Sequence, residues 1–107
     1  MIFTFSLSPL FAQNADLSVI SVSSFSAQDY YALKKVKPED LGFKIVEACI
    51  PKGLLAIEFT RSMNENEAVE YVQRMIMDHI NKSASPTAYK LEDLRTACQE
   101  YRDAINE

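Results

Sequence analysis

A chain of 107 residues with 48% hydrophobic residues is the size of one domain and can bury a real core, which excludes wholesale disorder. Two glycines and four prolines are too few for a turn-rich all-β architecture. The net charge of −4 sits entirely in the second half: residues 16–63 carry six acidic and six basic side chains, residues 64–107 nine and five. Such an acidic surface repels phosphate backbones and argues against nucleic acid as the main partner.

The first thirteen residues carry no charge, and Ile2, Phe3, Phe5, Leu7, Leu10 and Phe11 lead to the small residue Ala12. Residues 1–12 therefore read as the apolar and cleavage regions of a secretory signal peptide, with 13–107 as the working domain, periplasmic or secreted. The positively charged start that such signals carry is missing, since Ile2 follows Met1 directly. The competing reading is a strand over Ile2–Leu7 ended by Pro9, which would make the chain a cytosolic regulatory or interaction subunit starting at Met1. The segment is too short to span a membrane, which takes about 20 apolar residues.

Leu17, Val19 and Val22 among serines predict a strand over 16–23. Ser24 or Ser26 can cap a short helix over 27–33, with Asp29 in its first turn and Lys34 and Lys35 at its end. The basic run Lys34, Lys35 and Lys37 is offset at once by Glu39 and Asp40 and reads as a solvated turn. Pro38 opens a second helix. Residues 38–50 support two readings: a helix on the spacing of Leu41, Ile45 and Cys49, or a strand over 43–50 turning at Pro51-Lys52-Gly53.

Leu54–Thr60 alternates cleanly, with Leu55, Ile57 and Phe59 on one face, and predicts the best strand of the chain. Ser62 and Glu65 form a capping-box pattern for a helix running to about Lys82, with Val69, Val72, Ile76 and Ile80 on one side. Ser83–Pro86 reads as a turn. Leu91, Leu94, Cys98, Tyr101 and Ile105 then trace a narrow apolar stripe on a final amphipathic helix. The whole predicts an α+β fold: a small sheet with helices packed on one face, ending in two amphipathic helices. With 43–50 as a strand, its outline becomes ferredoxin-like, an analogy of fold that imports no activity.

Chemistry-bearing residues are sparse. His79 is the only histidine and adjoins Asp78, but neighbours on a helix point about 100° apart, so Asp78 is badly placed to orient it. Cys49 and Cys98 have neither redox nor metal spacing; in an oxidising compartment they are candidates for one disulfide closing a long loop. No metal or cofactor motif is recognisable. Tyr30 and Tyr31, adjacent on a short helix, cannot both face the core, so one is available as an aromatic contact residue. We therefore expect a small exported, non-catalytic protein-binding domain that uses Tyr30 and Tyr31. The alternatives are the cytosolic subunit and a ligand-binding protein or enzyme with a pocket near His79 and Cys98.

Overall fold

The computed structural model describes residues 17–105, with side chains through Glu100. The apolar segment 1–12 lies outside the described residues. Four strands, β1 (Leu17–Val22), β2 (Phe43–Cys49), β3 (Leu54–Phe59) and β4 (Ala84–Pro86), form one antiparallel sheet in the order β2-β3-β1-β4. Helices α1 (Ala27–Lys34) and α2 (Pro38–Leu41) link β1 to β2, α3 (Glu65–Ile80) links β3 to β4, and α4 (Leu91–Ile105) follows β4. A 3-10 turn, Ile50–Lys52, completes the β2–β3 hairpin. Each β-α-β unit encloses a strand of the other, because β3 lies between β2 and β1, and β1 between β3 and β4. This is the split arrangement of the ferredoxin-like outline, and the fold is α+β as expected.

The sheet is covered on both faces. On the first face Ile20, Val22, Phe43, Ile45, Leu55 and Ile57 pack with Leu33, Leu41, Ala68, Val72 and Ile76 from α1, α2 and α3. On the second, Val19, Cys49, Leu54 and Ala56 pack with Leu94, and with the half-buried Leu91, Ala97 and Cys98 of α4. The arrangement of helices on one face thus holds for α1–α3, while α4 forms a layer of its own. The reason was visible in β3: Leu54–Ile57 is an unbroken apolar run buried at every position, as a strand covered on both sides must be.

Both readings of 38–50 contain part of the answer. Pro38 starts α2 with its fixed φ, and Glu39 and Asp40 favour its positive end. Gly42, at φ +91°, stops the helix after one turn and directs the chain into β2. Its carbonyl accepts from both the backbone N–H and the hydroxyl of Thr60, each at 3.1 Å, so the joint is tied to the end of β3. The helix-like spacing of Leu41, Ile45 and Cys49 has another origin. Ile45 pairs with Ile57 and Glu47 with Ala56, so Val46 is an extra residue, a β-bulge. The bulge shifts the alternation by one. Phe43 and Ile45 face the first core, whereas Glu47 and Cys49 face α4.

Two boundaries differ from expectation. The cap of α3 is Asn64, not Ser62: Asn64 Oδ1 accepts from the Glu67 N–H at 2.9 Å, and Glu67 returns the bond. Asn-x-x-Glu satisfies the same capping logic as Ser-x-x-Glu and lies two residues nearer the apolar run. The helix ends at Ile80, where Asn81 adopts φ +58°. Ser83–Pro86 is not merely a turn, because Ala84–Pro86 pairs with β1 as the edge strand β4. Three residues ending in proline carry little strand signal, and an edge position tolerates the missing N–H.

Candidate functional site

On α1, Ser26 Oγ accepts from the Asp29 N–H at 3.1 Å, and Asp29 Oδ2 accepts from the Ser26 N–H at 3.1 Å, a complete capping box. Lys82, just past α3, donates through Nζ to Asp29 Oδ2 at 2.6 Å and to the Ser24 carbonyl at 2.7 Å. One ammonium therefore clamps the start of α1 to the end of α3. The Lys82 hydrogen bond, helped by those from Ser26 and opposed by partial burial, holds the Asp29 carboxyl below its ordinary value. Sequence spacing gives no hint of this clamp, since the partners are 53 residues apart.

The helix so fixed divides its two tyrosines as expected of neighbours. Tyr30 packs against the first core beside buried Leu33, whereas Tyr31 is 63% exposed. Their rings meet edge to face with centroids 5.6 Å apart, and Lys34 Nζ lies 5.9 Å from the Tyr30 ring centre. Tyr31, Lys34 and Lys35 share one solvent face through their i, i+3, i+4 spacing, and all three are exposed. The result is an exposed aromatic ring that shares its helix face with two exposed lysines.

Cys49 and Cys98 form a disulfide with Cα atoms 5.6 Å apart. Closing a loop across 49 residues is worth about 4 kcal/mol in the chain-entropy account. His79 is exposed on α3, above the first face, while Cys98 is bonded beneath the second. The sheet separates them, so the structure does not bring together the pair on which the pocket reading depended. No family model, curated protein or solved structure matches this chain.

Two clefts remain. One, of about 500 Å³, lies between β2 and α4 and is lined by Glu47, Ala48, Arg95, Thr96, Cys98 and Gln99, among others. Two of its charged groups pair across it, Arg95 Nε donating to Glu47 Oε1 at 2.8 Å. The other, of about 390 Å³, lies at the start of α3 between Arg61, Glu67, Glu70, Tyr71 and Arg74. Tyr71, one of its lining residues, donates to the Leu41 carbonyl at 2.6 Å. Among the described residues no group of three or more His, Cys, Asp and Glu is placed to hold a metal ion. No described helix is long and apolar enough to cross a membrane.

Proposed function

We propose that this chain is a small exported domain that works by binding another protein, without catalysis, through the outer face of α1. The observation that carries the reading is Tyr31, a large aromatic side chain 63% exposed on a helix fixed by a capping box and by the Lys82 clamp. A pre-ordered aromatic contributes contact area at small entropic cost, which is why tyrosines recur among binding hot spots. The disulfide supports the location, because such bonds persist in oxidising compartments.

The test is photo-crosslinking in the natural host, with a benzophenone amino acid at Tyr31 and, as a control, at the exposed Glu92 of α4. The reading expects a discrete protein adduct from position 31, absent from position 92, and lost when Lys34 and Lys35 are reversed in charge. Equal labelling from both positions, or none from position 31, overturns it.

A further inference from the structure

We propose that the Cys49–Cys98 disulfide is a redox latch, and that its reduction releases α4 from the sheet while the rest of the fold stands. The architecture makes α4 separable. It follows a sheet whose β-α-β units are already complete, and the residues it covers form a cluster distinct from the first core. Among the described residues, the first core, with Phe43, Leu55, Ile57, Val72 and Ile76, includes none from α4.

The described part of α4 meets the sheet through a small set of side chains. Among its described side chains only Leu94 is fully buried. The Arg95–Glu47 pair is solvent-exposed, with 58% and 35% of the two side chains accessible, and such pairs contribute little. The bridge ties α4 covalently to the end of β2. The Val46 bulge enables it, since without that extra residue Cys49 would face the first core, away from α4.

The two sulfurs differ in access. Cys49 is 1% exposed, whereas Cys98 lines the open cleft between β2 and α4. A thiolate of an external dithiol therefore attacks Cys98 Sγ. The protein's Sγ–Sγ bond breaks, and Cys49 leaves as a thiolate that takes up a proton. The dithiol's second thiol then displaces Cys98 from the mixed disulfide. Two electrons pass to the protein, both cysteines end as thiols, and the reagent departs as its own disulfide. With α4 undocked, Val19, Leu54 and Ala56 present an apolar strip on the second face.

The experiment is backbone hydrogen exchange read by mass spectrometry on the full chain, oxidised and after reduction by dithiothreitol, with alkylation confirming both thiols. Amides of 91–100 should lose protection by about a hundredfold, the loop-closure factor for the short tether at stake, while those of β1, β3 and α3 keep theirs. Retained protection of α4 in the reduced protein overturns the latch. So does simultaneous loss across every element, which makes the bridge a staple of the whole domain. A Cys49→Ala/Cys98→Ala variant should match the reduced protein without any reagent, and if it resembles the oxidised protein instead, the latch is equally refuted.

Discussion

Replacing Gly42 with alanine should be among the most damaging single-methyl additions in this protein, and the cost can be divided. A Cβ there would fall on the Tyr71 hydroxyl and lie 2.6 Å from Cε2 of the same ring. The backbone at φ +91° adds a conformational penalty of about 1–2 kcal/mol for a residue with a side chain. Relieving the clash moves the Tyr71 ring and breaks its 2.6 Å bond to the Leu41 carbonyl, for about 1 kcal/mol more. The total is about 2–3 kcal/mol, read as a lower urea midpoint with unchanged m-value. In a Tyr71→Ala background only the backbone share, about 1–2 kcal/mol, should remain, so the double-mutant cycle reports a coupling of about 1 kcal/mol. An equal cost in both backgrounds, or less than about 1 kcal/mol in the parent, would refute the close packing of Tyr71 on this joint.

Asn64→Ala should cost about 1 kcal/mol by chemical denaturation, whereas Ser62→Ala should be near neutral; the reverse order would return the cap of α3 to Ser62. Because the Asp29 pKa is lowered in the folded state, its contribution is complete above the ordinary value of 3.8 and disappears as pH falls through the folded value. Melting curves between about pH 5 and 2 should therefore show a stability loss that Asp29→Asn or Lys82→Met flattens; identical slopes would discard the clamp. Leu94→Ala should cost about 2–3 kcal/mol in the oxidised protein and nearly nothing once the disulfide is reduced, because α4 has then already left; an equal cost in both states would place Leu94 in a permanently docked layer.

Local signals in the sequence were enough for the strands β1 and β3, for the helices α1, α3 and α4, and for the sharing of roles between Tyr30 and Tyr31. Each rests on a period or a cap that neighbouring residues carry themselves. The short helix and strand within 38–49 resisted the same reading because Gly42 divides them and Val46 breaks the alternation, so neither period lasts a full element. The position of α4 on the second face was encoded only indirectly, in the unbroken Leu54–Ile57 run. Cys49 and Cys98 could be nominated as partners by composition, but their meeting depends on the bulge, a tertiary feature. The Lys82 clamp is likewise long-range, joining the start of α1 to a residue just past the end of α3.

The most direct test of an exported domain with a bridged second layer is the intact mass of the protein from its natural source, with alkylation before and after reduction. The account predicts a chain starting near Gln13 whose cysteines resist alkylation until reductant is added. A chain beginning at Met1 with both thiols freely alkylated would contradict it, and would move the search for a partner inside the cell.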